Sequence, residues 1–115
     1  MKIVPIKWMA SVDEDEVCEA LEEATIDCYD ESEQCMGLTT MAGESLAFPF
    51  QAKVLGETVE VVDSTVSKFD SSGFDLVVLH NGKCYAIAAH CVELQKPLPD
   101  GHIYLAAYLT WRSRF

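Results

Sequence analysis

Apolar positions early in the chain recur at helical spacing. Val17, Ala20, Leu21, Ala24 and Cys28 make one stripe, and carboxylates cover the opposite face. This pattern predicts a helix over about 12–28, opened by a capping box in which the Ser11 hydroxyl accepts from a first-turn amide and the Glu14 carboxylate reaches back. Asp13, Glu14, Asp15 and Glu16 suit the positive end of such a helix. A second helical stretch is expected from about Asp30 into the Leu38 to Met41 region, weakened by Gly37 and ended by Gly43, with a break near Cys28 and Tyr29. Upstream, Ile3, Val4, Ile6 and Trp8 read as a short extended arm over residues 1–8.

From Leu46 onward the pattern changes to strand. Residues 47–55 contain Pro49, which cannot donate to a ladder, so an edge strand or a bent entry is expected there. Gly56 and Glu57 suit a turn, and residues 58–62 are β-branched with alternation. Asp70, Ser71, Ser72 and Gly73 make a loop. Apolar runs over 74–80 and 83–89 flank Asn81-Gly82, the strongest hairpin signal in the chain. A short strand over 91–94 precedes Pro97, Pro99 and Gly101. The tail over 102–114 admits helix or strand. Tyr104, Leu105, Tyr108 and Trp111 fit helical spacing, and Arg112 and Arg114 suit a helix C-terminus. The expected class is α+β: N-terminal acidic helices packed on a small antiparallel SH3-like β-barrel, with a possible C-terminal helix. One domain over 1–115 is expected, divided into an acidic helical part (about 10–45), a barrel part (about 46–95) and the 102–114 segment.

Charge sharpens this picture. Eleven acidic residues lie between Asp13 and Glu33 with no Lys or Arg among them, and the formal net charge of -11 therefore sits wholly in that stretch. Crowded carboxylates repel, and a cation, a basic partner or solvation must relieve them. Half of the 115 residues are apolar, which argues for a packed core despite the charge. So acidic a surface disfavours nucleic acid. No apolar run approaches the roughly 18–20 residues of a membrane span, and the first residues lack a signal-peptide pattern, so a cytoplasmic protein is expected. Five cysteines without framework spacing read as reduced thiols. Cys18, Cys28 and Cys35 are expected on the apolar helical stripe.

If residues 23–34 were helical throughout, Asp27, Asp30 and Glu31 would share a face, with Glu23 one turn earlier and Gln34 one turn later. Such oxygen donors suit a hard divalent cation like Ca²⁺, which takes six to eight oxygens. A continuous helix is nevertheless a poor cage, and a break near Tyr29 or a carbonyl from elsewhere is required. No EF-hand pattern is present, either at 27–38 or from Asp70. On residue chemistry alone, a solvated acidic face remains the plainer reading.

The run Asp27-Cys28-Tyr29-Asp30-Glu31-Ser32-Glu33-Gln34-Cys35-Met36-Gly37, followed by Leu46-Ala47-Phe48-Pro49-Phe50-Gln51-Ala52 and Gly56-Glu57-Thr58-Val59-Glu60-Val61, resembles the small bacterial calcium-binding family CcbP. The matching segments cover about a third of the chain. The resemblance implies a non-EF-hand Ca²⁺-binding protein of the cytoplasm, without catalysis, that buffers or signals. Position by position it points to Asp27, Asp30, Glu31 and Glu33 as the acidic cluster; Glu23 joins them only by the helical spacing above. The chain departs from the family pattern after Gly37, where Leu38, Thr39 and Thr40 stand in place of aromatics. It departs again in the loop over 64–72, where Asp70 is the single carboxylate beside Lys68. That composition weighs against a second calcium site built from this loop.

Other chemistry ranks lower. His80, Cys84, His90 and Cys91 lack zinc spacing, and His90 and Cys91, being adjacent, would face opposite ways in a strand. Cys91 beside His90 is not a catalytic pair by adjacency alone and reads as a buried small apolar residue. Phe48-Pro49-Phe50 reads as an anchor between helix and barrel, and the tail aromatics as core or helix-docking residues. No enzyme is expected. The alternative to calcium binding is an acidic interaction module that docks a basic protein partner without metal.

Overall fold

The first acidic segment forms a helix shorter than its pattern predicts. In the computed structural model, which describes residues 6–66 and 73–113, α1 spans Glu14–Thr25. Its N-cap is Asp13, not Ser11: the backbone of Asp13 is extended and its Oδ1 accepts from the Asp15 N–H at 2.8 Å. Ser11 instead ends a 3-10 turn, Lys7–Ser11, with its hydroxyl 3.5 Å from the Trp8 carbonyl oxygen. Burial of Trp8 draws this turn onto the body of the protein, so the described part of the expected extended arm is coiled; Ile3 and Val4 lie outside the described residues. Val17, Ala20, Leu21 and Ala24 are the buried stripe of α1, as the periodicity predicts.

The second helix, α2, spans Glu31–Ser45 and runs through both glycines. Packing explains why. A Cβ at Gly37 would run into the carbonyl oxygen of Ala24 in α1, and one at Gly43 would come within 3.0 Å of Ser64 Oγ. The two glycines mark where α2 crosses α1 and where it lies on the sheet. That close contact offsets the loss of about 1 kcal/mol that a glycine costs inside a helix.

Five strands follow: β1 (Phe50–Val54), β2 (Glu57–Val66), β3 (Phe74–His80), β4 (Lys83–Ala88) and β5 (Glu93–Leu94). All neighbours are antiparallel, in the order β4-β3-β2-β1-β5. Among the described residues the sheet is open, with β4 and β5 as its edges, and the expected closed barrel is not seen. β1 is not an edge strand, and Pro49 lies at its entry instead. Pro49 precedes its first residue and leaves the ladder intact, while the two residues of β5 cover its far side. The β1–β2 turn is Leu55-Gly56, one residue earlier than expected, with φ of 51° and 81°. Asn81-Gly82, with φ of 52° and 77°, forms the β3–β4 turn that the sequence announces. β2 outruns its alternating core by using a bulge between Val61 and Asp63. After Ala88 the chain coils into a 3-10 turn, Ala89–Cys91, so the last strand is shorter than expected. Residues 67–72, including the expected Asp70 loop, lie outside the described residues, as does Arg114.

The tail is helix: α3 spans His102–Arg112 and packs against both α1 and α2. Its Leu105 and Tyr108 join Leu38 and Ala42 of α2 and Ala52, Val61, Leu76 and Val78 of the sheet in one core. Tyr108 meets Phe74 edge-on, with ring centroids 5.5 Å apart. Phe48 and Phe50 stack at 5.7 Å against the core, the anchoring use their spacing suggests. Among the described residues the architecture is α+β, three helices packed together beside an open antiparallel sheet. No helix of the described residues is long and apolar enough to cross a membrane.

Candidate metal centre

The break between the two acidic helices is local chemistry. Thr25 turns its hydroxyl back onto the Leu21 carbonyl at 2.7 Å and closes α1. Asp27 then takes a left-handed conformation, φ 61°, which a short polar side chain tolerates better than a bulky one. Asp30 is extended and caps α2: its Oδ1 accepts from the Glu33 N–H at 2.8 Å. Glu33 reaches back, its Oε2 accepting from the Tyr29 N–H at 2.9 Å. The pair is a capping box displaced by one residue. Glu31 opens the helix, and its charge and that of Glu33 favour the positive helix end.

Asp27, Asp30, Glu31 and Glu33 therefore gather at one junction, all exposed, but not as one helical face. Glu23 is held elsewhere. Its Oε2 accepts from the Tyr104 hydroxyl of α3 at 3.0 Å, and this hydrogen bond, more than desolvation or the charge of the carboxylate, raises the Tyr104 pKa above its ordinary value. Gln34 also leaves the expected oxygen face, because its Oε1 accepts from Trp111 Nε1 at 2.9 Å. The polar ends of Tyr104 and Trp111 thus tie α3 to α1 and α2 on either side of the junction. Sequence reasoning expected these aromatics as packing residues and missed their polar bonds. Their spacing of seven, two helical turns on one face, was the available signal.

Among the described residues, no three Asp, Glu, His or Cys side chains stand close enough to hold a metal as placed. The donor chemistry nonetheless fits a hard cation. Each cap uses one carboxylate oxygen, Oδ1 of Asp30 and Oε2 of Glu33, so ligation by the second oxygen is compatible with the caps. The soft-metal alternative finds no grouping either: Cys84 lies on an exposed strand, and His90 Nδ1 is occupied by Arg112 Nη1 at 3.0 Å. The cysteines also depart from expectation. Only Cys35 is buried; Cys28 is half-buried against the carbonyl oxygens of Ala24 and Glu33, and Cys18 and Cys91 are exposed. Cys18 falls outside the stripe because it neighbours Val17 on a helix whose buried face is narrow. Cys91 ends a 3-10 turn rather than pointing inward from a strand.

No protein-family model matches the sequence, and no curated protein matches it. Solved structures do. The crystal structure of Anabaena CcbP superposes with a TM-score of 0.70 at 25% identity, covering 91% of this chain and 96% of that one. A calcium-binding protein in its calcium-binding form gives 0.68 at 23% identity, covering 92% and 97%. The architecture is shared over nearly the whole of both chains, with the acidic run at the helix junction and Phe48-Pro49-Phe50 at the entry to the first strand, so this chain is similar to CcbP in fold.

Proposed function

We propose that the chain binds Ca²⁺ at the α1–α2 junction and acts as a cytoplasmic buffer or sensor without catalysing a reaction. The observation that carries this reading is the CcbP fold, matched over nearly the full chain, with the net negative charge concentrated in the segment that forms the junction. In this proposal Asp27, Asp30, Glu31 and Glu33 supply carboxylate oxygens, and water completes the shell. Glu23 is recruited by releasing Tyr104. The four carboxylates converge only when the ion is present, since their mutual repulsion holds them apart in its absence. A site assembled at that cost binds with a dissociation constant on the order of micromolar to millimolar.

Calorimetric titration with Ca²⁺ and Mg²⁺ tests the proposal, alongside melting curves in both ions. A ligand that binds only the folded state raises the melting temperature. Ca²⁺ is expected to do so and Mg²⁺ less, because Mg²⁺ demands octahedral geometry and sheds water reluctantly. Asp30→Lys removes most of the effect. Melting that does not change at millimolar Ca²⁺ ends this reading.

One observation supports a second reading, a docking surface for a basic protein. Ile26, Tyr29 and Met36 are 72%, 88% and 70% exposed beside the acidic junction. Apolar side chains among carboxylates suit a partner that carries both apolar and basic groups. Its mark is binding that persists in chelator and is lost at high salt.

A further inference from the structure

We propose that the free edge of β4 pairs with β4 of a second copy, joining two open sheets into one continuous antiparallel sheet. The turn sets which backbone groups of β4 face outward. A two-residue Asn81-Gly82 connection makes His80 and Lys83 a hydrogen-bonded pair. Alternation along the register then bonds Tyr85 to Val78 and Ile87 to Leu76, so the backbone groups of Cys84, Ala86 and Ala88 point away from β3. No element of the described residues pairs with that side of β4. Of the usual protections of an exposed edge, β4 has only Lys83, at its first residue. It contains no proline, and its pairing with β3 has no bulge.

The edge fits itself. About a two-fold axis through Ala86, the outward-facing groups of Ala86 meet those of Ala86 of the other copy, and Cys84 meets Ala88 of the other copy in both directions. On that face every contacting side chain is small. On the opposite face Tyr85, 48% exposed, stands across from Ile87 of the other copy, an aromatic and β-branched pair of the kind that stabilises antiparallel sheets. Electrostatics favour this strand as well. Two chains of net charge -11 repel where their acidic stretches approach, whereas β4 carries no carboxylate and one lysine, Lys83.

Sedimentation equilibrium in reductant, over a wide concentration range, reads the outcome. The protein is expected to reach twice its 12.8 kDa mass, and Cys84→Ser to remain dimeric. Ala86→Pro removes only an outward N–H, so the hairpin keeps its own bonds. The dimer loses two hydrogen bonds across the axis, and its dissociation constant is expected to rise about thirtyfold. Ala86→Lys sets two ammonium groups against each other across the axis and gives monomer with unchanged circular dichroism. A wild-type protein that stays at 12.8 kDa throughout, or a folded Ala86→Lys that remains dimeric, overturns the proposal. If Ala86→Pro fails to fold, Ala86→Lys decides.

Discussion

Gly37 shows how one residue can read as a weakness and act as a contact. On propensity it costs about 1 kcal/mol in mid-helix relative to alanine, and the sequence therefore expects it to loosen α2. The space its Cβ would fill is taken by the carbonyl oxygen of Ala24, a backbone atom that cannot swing aside. Gly37→Ala thus gains helix propensity and forces α1 and α2 apart. Overpacking at such a site costs about 1–3 kcal/mol and outweighs the propensity gain. A net loss of about 1–2 kcal/mol is expected by urea denaturation, against a gain of stability if the position were simply helical surface. The residue type was legible in the sequence; its neighbour, 13 positions earlier, was not.

Among the elements, the junction between α1 and α2 carries a structural role and the proposed ionic one in the same carboxylates. Asp30 caps α2 through one oxygen, and Asn caps equally well. Asp30→Asn is therefore expected to leave ion-free stability within about 0.5 kcal/mol while weakening the rise in melting temperature with Ca²⁺. Asp30→Ala should lose about 1 kcal/mol even in chelator. Parallel melts in chelator and in Ca²⁺ separate the two roles, and the cap prediction stands or falls independently of the metal. The periodicity of Val17, Ala20, Leu21 and Ala24 foretold α1, and Asn81-Gly82 foretold the β3–β4 hairpin, because both signals are local. The true N-cap of α1 was not foretold. Ser11 and Asp13 both satisfy the composition rule, and burial of Trp8, which coils residues 7–11, chose between them.

Across the whole molecule, the tail helix binds the parts together, through Tyr104 to Glu23, Trp111 to Gln34, and Arg112 to His90 beyond the end of the sheet. Partial desolvation, and then the Arg112 charge, lower the His90 pKa below its ordinary 6.5, with Asp75 opposing. The folded protein therefore binds this proton less readily than the unfolded chain does. The contribution to stability is present above pH 6.5 and is lost as pH falls through the lowered folded value. Replacing His90 with Gln should flatten the dependence of stability on pH just below 6.5, read from urea denaturation at stepped pH; an unchanged slope would show that His90 titrates alike in both states. By itself the sequence determined the two acidic helices, where the hairpin turns, and that the negative charge collects in one stretch, since each of these depends on spacing within a few residues; the tail it left open between helix and strand. Only the tertiary structure decided that the sheet stays open, that Glu23 and Gln34 are engaged by the tail instead of facing Asp30, and that the junction carboxylates stand apart. Those outcomes depend on surfaces meeting across many tens of residues, and no local pattern encodes which surface arrives.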